Sequence, residues 1–454
     1  MTERLAEDAV RDGRTVARGS AVLFASQVIG NAGFFAAVLI LARGLGPTGR
    51  GAVAFFIVTA MVTARAAGLG VREATTVFAA QRTEERPALL SNLVLASLLT
   101  GTAGAAIVCA ALALLPGIRP GRIGAAEIVA LGLAIIAFSF VDGGYNFLLG
   151  CSRFRLQALV TATSSWIYAG SLLVLWFAGG LTVARAAIAW TAAAALRAVF
   201  VFNGSGRLTG FGRPDLGLLR ESVTFGCRAW IGSLARFTNF RADQVLMGFI
   251  ATEASLGIYA VAVNASEILL YFPEAMAMAL LPTVARVDPA ARSEQALRAF
   301  RSLLIVTAAS IVVAVFAGVP LLPLVFGSRF AGSTTPFLWL LPGAIGYAAL
   351  GVFSNTLMAS SPGLSSLGPF VSLVVGLALD GALIPYFGAT GAAAAASAAF
   401  LAGGAAALVV YRQRAPFPWR ELVLLRSGDL DFLGALVRLP FRPGGRTAQS
   451  PAPD

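Results

Sequence analysis

The chain has 454 residues, of which 57% are hydrophobic and only 12% are charged. Soluble domains carry about 25% charged residues, and a soluble fold of this length could not bury so much apolar surface, so the composition excludes a soluble enzyme. The net charge is +12, all 34 basic residues are arginine, and there is no histidine. That charge would suit nucleic acid, but the arginines lie mostly in short connections between apolar runs, which favours a membrane protein without a nucleic-acid partner.

Apolar runs long enough to cross a bilayer recur along the whole chain. A helix of about 20 residues crosses a hydrocarbon core of about 30 Å. Measured against that length, the sequence predicts an all-α integral membrane protein of about 12 transmembrane helices. The predicted spans lie near residues 20–42, 51–70, 88–116, 124–150, 155–179, 183–203, 221–250, 255–284, 299–327, 335–360, 364–387 and 389–411.

The two halves of the chain repeat one pattern of spans. Each span of the first half has a counterpart 206 residues later, and Gly51 falls on Gly257. Because six spans is an even number, both halves enter the membrane from the same side, and we expect two parallel six-helix bundles. The expected domains are an N-terminal tail (1–19), a first lobe (20–203), a linker (204–218), a second lobe (219–412) and a C-terminal tail (413–454), amphipathic and then disordered.

The arginines predict the orientation of the chain in the membrane. The tails and connections on the side of the N-terminus hold 23 arginines, and the connections on the other side hold six. Cytoplasmic segments are enriched in positive charge, so we expect both termini to be cytoplasmic in a multi-pass protein of the cytoplasmic membrane. The first 19 residues are polar, and we therefore expect no cleavable signal peptide.

Charged residues within the predicted spans are candidates for function, since each costs roughly 2.5–3.5 kcal/mol at mid-bilayer. Span 7, taken as one continuous helix, places a polar stripe on one face, and span 8 carries a second stripe. Further polar residues lie in spans 1, 2, 4 and 11. The two stripes are Arg228, Gly232, Arg236, Asn239 and Asp243 on span 7 and Asn264, Glu267, Tyr271 and Glu274 on span 8; the other residues are Gln27, Asn31, Arg65, Asp142 and Asp380.

Two interpretations of these residues stay open. In the first, Arg236 pairs with Asp243 and Arg228 pairs with Glu267, and the pairs only hold helices together. In the second, the arginines line a wet cavity and bind a phosphate or pyrophosphate bidentately. The candidate substrate-binding residues are then Arg65, Arg228, Arg236, Asn239, Gln27, Asn31, Asn264 and Tyr271, and the candidates for coupling or ion pairing are Asp243, Glu267, Glu274, Asp380 and Asp142.

No pattern in the sequence indicates an active site. There is no phosphate-binding Gly-Lys-Ser/Thr loop and no cluster of metal ligands, so we expect no catalytic residue, no metal and no cofactor. A polymerase or transferase acting on a lipid would need a large loop with clustered carboxylates, and every predicted connection between spans is short. A membrane scaffold without transport activity would need a lobe interface sealed by apolar residues.

Six strings occur in consistent order and spacing over residues 20–412. They are LARGLGP at 41–47, RADQVLMG at 241–248 followed by GIY at 257–259 and LP at 281–282, PLVFG at 323–327, and IPYFGATGAA at 384–393. Together they resemble the polysaccharide biosynthesis proteins, which are oligosaccharide flippases of the multidrug/oligosaccharidyl-lipid/polysaccharide exporter superfamily. That family usually has an asparagine where this chain has Asp380, so span 11 carries an extra carboxylate.

The resemblance implies a V-shaped pair of six-helix bundles that flips lipid-linked sugar units to the outer leaflet by alternating access. The implied carrier is a polyprenyl pyrophosphate, whose anionic head would suit an arginine-lined cavity. The expected partners are this lipid-linked glycan, membrane lipid, a polysaccharide polymerase and glycosyltransferases. Two alternatives of the same fold stay open: a cation-coupled multidrug exporter, whose cavity should favour carboxylates, and a flippase for the cell-wall precursor lipid II, which 12 spans without extra terminal helices disfavour.

Overall fold

Helices account for most of the chain in the structure, which is a computed structural model. It describes the backbone of residues 2–115, 121, 123–285, 289–422 and 424, and the side chains of these residues except 2–24, 271–292, 359, 360 and 362. The predicted amphipathic and disordered parts of the C-terminal tail fall largely at 425–454, outside the described residues.

The first lobe contains six helices and a sharp turn within the longest of them. At Gly46 the φ of 67° and ψ of −175° interrupt the helix. Glycine adopts this φ without the steric cost that a Cβ would bring, so α1 contributes two predicted spans joined at a tight turn. The helices are α1 (Thr2–Ala67), α2 (Val71–Gln81), α3 (Arg86–Leu114), α4 (Ala125–Gly150), α5 (Phe154–Phe177) and α6 (Val183–Thr209).

The second lobe is more interrupted. Its last long helix turns at Gly388, where φ is 53° and ψ is −126°, and it also contributes two predicted spans. A π-helical turn at Ala314–Gly318 and 3₁₀ turns at Ser328–Ser333 and Trp419–Leu422 connect or follow its helices. These are α7 (Leu216–Asn239), α8 (Ala242–Ile250), α9 (Glu253–Ala285), α10 (Pro289–Val313), α11 (Val319–Phe326), α12 (Thr334–Leu340), α13 (Gly343–Ser360), α14 (Pro362–Ser365) and α15 (Leu367–Arg414).

The prediction of about 12 transmembrane helices is confirmed. Among the described residues, eight helices are long and apolar enough to cross a membrane, and the bent pair Ser328–Leu340 and Gly343–Met358 brings the number to nine. The turns at Gly46 and Gly388 each divide one of these helices into two spans. One more crossing consists of α7 and α8, which together are long enough but contain several charged residues.

The two lobes touch at both ends of their interface. The linker end is the end where residues 210–215 connect the lobes, and the far end is the end where α8 turns into α9. At the far end a Cβ on Gly51 would lie 1.8 Å from the Glu253 carbonyl oxygen, and a Cβ on Gly257 would lie 1.9 Å from the Pro47 carbonyl oxygen. Only glycine allows such a close approach of two backbones.

Toward the linker end a second glycine pair brings α2 and α7 together. A Cβ on Gly226 would lie 1.9 Å from the Gly70 carbonyl oxygen. Gly70 has φ of 81° and follows Leu69, whose φ is 46°. The chain therefore turns sharply between α1 and α2 before α2 packs against the second lobe. In this conformation the lobes therefore touch near both ends of the interface.

Candidate functional site

Span 7 is broken where the sequence predicts one continuous helix. α7 ends at Asn239 and α8 begins at Ala242. Between them the Phe240 and Arg241 amides hydrogen-bond to carbonyls three residues earlier, at 3.1 and 3.0 Å. This tight turn changes the helical phase, so Asp243 does not continue the polar face of α7. The prediction of one stripe along the whole span is wrong.

Two arginines of α7 keep exposed side chains. Arg228 and Arg236 are both exposed, and within the part of the chain that the structure describes neither has a hydrogen bond or an ion pair. Asn239, at the end of the same helix, packs against α15: it donates to the Pro369 carbonyl at 3.1 Å and accepts from the Ser372 hydroxyl at 3.2 Å. The two guanidiniums are therefore free to meet an anion, and the amide holds two helices together.

The second-lobe ion pair differs from both predicted pairs. Glu267 on α9 pairs with Arg241, at 2.5 Å between Oε1 and Nη1. The break in span 7 causes the difference, because it turns Arg241 toward α9. The predicted pairs Arg228–Glu267 and Arg236–Asp243 are wrong.

Two buried carboxylates of the second lobe lie near this pair. Asp243 is 8% exposed, accepts a hydrogen bond from the Tyr259 hydroxyl, and accepts another from the Gln244 amide at 2.7 Å. Asp380 on α15 is 3% exposed, its Oδ1 has no hydrogen-bond partner among the described residues, and it is within electrostatic range of Asp243. Among the described residues no group of three or more His, Cys, Asp and Glu is arranged to hold a metal ion.

In the first lobe one carboxylate is shared by two arginines. Asp142 on α4 accepts from Arg65 at the end of α1, at 2.6 Å from Nη2 and 3.3 Å from Nε. It also accepts from Nη1 of Arg72 on α2. The remaining nitrogens of Arg72 engage Glu73, with Nε at 2.8 Å and Nη2 at 2.7 Å from Oε1. We call Arg65, Arg72, Glu73 and Asp142 the shared-carboxylate cluster.

The shared-carboxylate cluster contacts the second lobe through α7. Arg72 Nη2 donates to the Ser233 hydroxyl at 2.9 Å, and that hydroxyl lies 2.5 Å from Glu73 Oε1. The Trp230 indole donates to the Arg65 carbonyl at 3.0 Å. The Arg65 guanidinium lies over the Phe237 ring, 4.2 Å from its centroid. These contacts cross the lobe interface, so they can persist only while α2 and α7 remain together.

Nearer the linker end the interface continues with an exposed pair. Arg82 binds Glu221 with both terminal nitrogens, at 2.6 and 2.9 Å. The rings of Phe78 and Phe225 lie beside it at 5.1 Å between centroids, and the Arg82 guanidinium lies over Phe78. An exposed ion pair contributes little by itself, but a bidentate pair adjoining two aromatic rings in contact fixes the register of α2 on α7.

The remaining predicted residues are not gathered into one site. Gln27 donates to Asn31 at 3.0 Å along the first half of α1, and Asn264 is half-buried on α9. Tyr271 and Glu274 lie further along α9, and their side chains are outside the described residues. The structure therefore brings together Arg65 with Asp142 and Gln27 with Asn31, and it places Glu267 and Asp380 within electrostatic range of Asp243.

Three residues joined by hydrogen bonds where the shared-carboxylate cluster meets α7 were absent from the predicted site: Arg72, Glu73 and Ser233. Arg72 and Glu73 follow the predicted end of span 2, and the sequence analysis counted Arg72 among connection residues. A usable signal was present, because Val71, Ala74, Thr75, Phe78 and Ala79 recur at the spacing of one buried helical face. That pattern predicts a further helix after the Gly68–Gly70 turn. Arg72 and Glu73 then lie on a helix of the first lobe and not in a connection.

A small, partly open pocket adjoins the shared-carboxylate cluster inside the first lobe. It lies between α1, α2, α3 and α4. Its polar lining consists of Arg72, Ser97, Thr100, Ser139 and Asp142. Water in this pocket would solvate Asp142 from the side away from the second lobe.

Solved membrane transporters share this fold. The structure of the lipid II flippase MurJ in an inward closed conformation is similar with a TM-score of 0.74 and 15% identity, over 94% of this chain and 93% of that chain. An inward-facing multidrug resistance MATE family transporter of the MOP superfamily is similar with a TM-score of 0.70 and 16% identity, over 85% of this chain and 94% of the other. At these identities the likeness shows the fold.

The sequence comparisons point to one family. The protein named "Probable low-salt glycan biosynthesis flippase Agl15" from Haloferax volcanii is 23% identical over 386 residues, which cover 83% of this chain and 79% of that protein. The polysaccharide biosynthesis protein family matches residues 16–288, more than half of the chain, including the first lobe and helices α7 and α8. The multi-pass helical architecture, the two-lobe fold of known flippases and exporters, and this match agree. The chain is a multi-pass helical membrane protein, and it belongs to the polysaccharide biosynthesis protein family.

Proposed function

We propose that the protein flips a lipid-linked oligosaccharide, carried on a polyprenyl pyrophosphate, across the cytoplasmic membrane. The observation that carries the proposal is the pair of exposed, unpaired guanidiniums of Arg228 and Arg236 on α7, the helix that α2 contacts across the lobe interface. Unpaired arginine is costly at membrane depth unless it is wet or meets an anion. Its planar fork matches a phosphate bidentately, so an anionic head is the cargo that this surface favours.

The remaining polar candidates complete the proposed path. Neutral side chains form hydrogen bonds with sugar hydroxyls without fixing a charge. Asn239, held between α7 and α15, lies at the end of the helix that carries Arg228 and Arg236. We assign this role, as part of the proposal, to Gln27, Asn31, Asn239, Asn264 and Tyr271.

Alternating access requires the two closed ends of the interface to open in turn. We assign the linker end, with α2 against α7, to the cytoplasmic side, as the arginine distribution favours. The far end, with Gly51 against Gly257, then faces outward. A sugar–pyrophosphate head would enter at the first end and leave at the second, while the polyprenyl tail stays in lipid between the lobes.

The similar proteins support a lipid-linked cargo. One is named a glycan biosynthesis flippase and another a lipid II flippase. Glycosyltransferases would supply the lipid-linked unit on the cytoplasmic side, and a polymerase would consume it outside. We take both to be partners of this chain in the pathway.

A cation-coupled exporter is the second candidate, favoured by one observation. Within the part of the chain that the structure describes, Asp380 is buried with an unpartnered Oδ1 beside Asp243, and a buried carboxylate pair attracts a proton or a cation. The same pair could couple a cation gradient to flipping, so the two candidates differ in cargo and not in driving force.

The deciding experiment uses the purified full chain in proteoliposomes. Translocation of a fluorescent polyprenyl-pyrophosphate oligosaccharide is measured by protection from a membrane-impermeant quencher, beside a polyprenol of equal length and a cationic dye. The proposal expects movement of the pyrophosphate-linked glycan alone. Movement of the dye without the glycan would establish the exporter instead.

A further inference from the structure

We propose that Arg72 is a second headgroup ligand of the first lobe beside Arg65, and that closing the linker end withdraws both guanidiniums from the head. The inference rests on the proposed function, because it concerns the anionic head of the same cargo. It adds a residue that the sequence analysis did not assign and a reason for the head to leave once the linker end has closed.

The closed conformation uses most of the hydrogen-bonding capacity of the two arginines. All three nitrogens of Arg72 are engaged, by Asp142, Glu73 and Ser233. Two nitrogens of Arg65 are engaged by Asp142, and Phe237 covers its face. A phosphate approaching either guanidinium in this conformation must displace a partner that is already bound.

Two of these partners belong to the second lobe. Ser233 and Phe237 lie on α7 and reach the arginines only while α2 and α7 are in contact. When the lobes separate at the linker end, Arg72 loses Ser233 and Arg65 loses Phe237. Arg72 then has a donor at Nη2 without its hydroxyl partner, and Arg65 has an uncovered guanidinium face. The two guanidiniums lie next to each other at the spacing set by their shared carboxylate.

The geometry therefore makes headgroup binding and closure compete for the same donors. Arginines that are engaged in the closed conformation cannot bind the head. The apparent affinity for the head therefore falls with the fraction of molecules that are closed. The effect is reciprocal, so a bound head also disfavours closure. Arg228 and Arg236 have no partner of their own among the described residues, so they can take over the head as the first-lobe arginines are withdrawn.

The turn between α1 and α2 allows this movement. Leu69 and Gly70 both have positive φ, and only the 3.4 and 3.2 Å hydrogen bonds Gly68–Arg65 and Val71–Gly68 bridge the break. Since α2 is not a continuation of α1, its contact with α7 can loosen without bending α1.

The test measures binding of a radiolabelled polyprenyl pyrophosphate to the full chain in nanodiscs, with a polyprenol of equal length as the blank. Ser233→Ala removes the closed-state partner and leaves every arginine in place, so its affinity should rise roughly fivefold above wild type. Ser233→Thr keeps the hydroxyl and should restore the wild-type affinity. A hydroxyl that only stabilised the fold would not raise affinity when removed.

Arg72 is tested in the Ser233→Ala background. The Arg72–Ser233 contact is already absent there, so the loss of Arg72 does not open the interface further. Arg72→Ala combined with Ser233→Ala should bind at least about tenfold more weakly than Ser233→Ala alone. Arg298→Ala in the same background is the matched control, because Arg298 is a partly exposed arginine whose ion pair, among the described residues, is with Glu294 on its own helix. Equal affinity of the Arg72 double variant and its control would overturn the ligand assignment.

A second measurement follows the closure itself. In a Cys109→Ala, Cys151→Ala background the one remaining thiol is Cys227, next to Gly226 in the contact with Gly70. Saturating polyprenyl pyrophosphate should raise its labelling rate by a membrane-impermeant maleimide roughly fivefold. The competition would be refuted if wild type bound the polyprenyl pyrophosphate but the labelling rate of Cys227 did not change and Ser233→Ala bound no more tightly. That result would leave the flippase proposal standing. Absence of binding by wild type would refute the flippase proposal itself.

Discussion

Arg241, in the turn that separates α7 from α8, pairs with Glu267 on α9. The turn consists of the two residues between the end of α7 at Asn239 and the start of α8 at Ala242. The pair spans from this turn to α9, so it fixes the angle at which the broken span meets its neighbour.

The Arg241–Glu267 pair should stabilise the second lobe. Both side chains are about one-fifth exposed, at 22% and 18%, so breaking the pair should cost less than a fully buried one, about 1–3 kcal/mol. We expect Arg241→Ala to lower the unfolding temperature in detergent. Arg241→Ala with Glu267→Gln should recover part of the loss, because no uncompensated charge remains. Equal unfolding temperatures for the single and double variants would show that the pair is energetically silent.

Arg228 and Arg236 should be needed for transport and not for assembly. Their side chains are exposed and have no partner among the described residues, so alanine at either position costs no internal contact. If each binds the anionic head, its loss should reduce flipping at least about tenfold. The assay is glycan translocation in proteoliposomes at equal protein density. Arg298→Ala, which removes a partly exposed arginine from α10, is the control and should translocate at the wild-type rate; wild-type rates in both α7 variants would exclude them from the path.

Gly257→Ala should destabilise the closed far end. The new Cβ would lie 1.9 Å from the Pro47 carbonyl oxygen, and backbone on both sides leaves no flexible side chain to move. Overpacking of this kind costs about 1–3 kcal/mol. The measurement is the unfolding temperature together with the translocation rate. Gly170→Ala is the matched control, since a Cβ at that helical glycine meets nothing within 4 Å. A Gly257→Ala protein as stable as this control would contradict the packing argument.

Asp243 and Asp380 should couple transport to a cation or proton gradient if that gradient drives it. The two carboxylates are buried within electrostatic range of each other, and Glu267 and Arg241 lie nearby. We expect an imposed proton or sodium gradient to accelerate translocation by wild type. Asp380→Asn should abolish that acceleration and keep the rate without a gradient.

The control for this experiment removes a carboxylate from the surface. Glu294 lies on α10 in an exposed pair with Arg298. The Glu294→Gln protein should keep the full response to the gradient. A wild-type protein that responds to neither gradient, or an Asp380→Asn protein that responds as wild type does, would remove these carboxylates from coupling.

The sequence was a good guide to the spans and a poor guide to their pairing. Hydropathy sees about 20 residues at a time, and it located both halves of α1 although no interruption other than Gly46 separates them. It could not place the turn after Asn239, because a two-residue break leaves the average hydropathy of the span unchanged. Every partner predicted from helical phase beyond that turn was therefore assigned to the wrong face.

Contacts between lobes were beyond local patterns for a different reason. Arg72 and Ser233 are 161 residues apart, and nothing in the neighbourhood of either residue specifies the other. Asp142 could be recognised as an unusual charge inside a span, but its sharing between Arg65 and Arg72 depends on how α1, α2 and α4 are arranged. Charge inside a membrane span identifies candidates, and tertiary packing decides which of them meet.

The contact between Gly51 and Gly257 restricts how this protein can change over evolutionary time. The two glycines are equivalent members of the repeat, so the interface places a position against its own counterpart, as the interface of a two-fold homodimer does. A side chain gained on one half would ordinarily be accommodated by a smaller one on the other. No amino acid is smaller than glycine, so neither half can compensate for a larger residue in the other. Related proteins are therefore expected to vary in their cargo-binding residues while both glycines are kept.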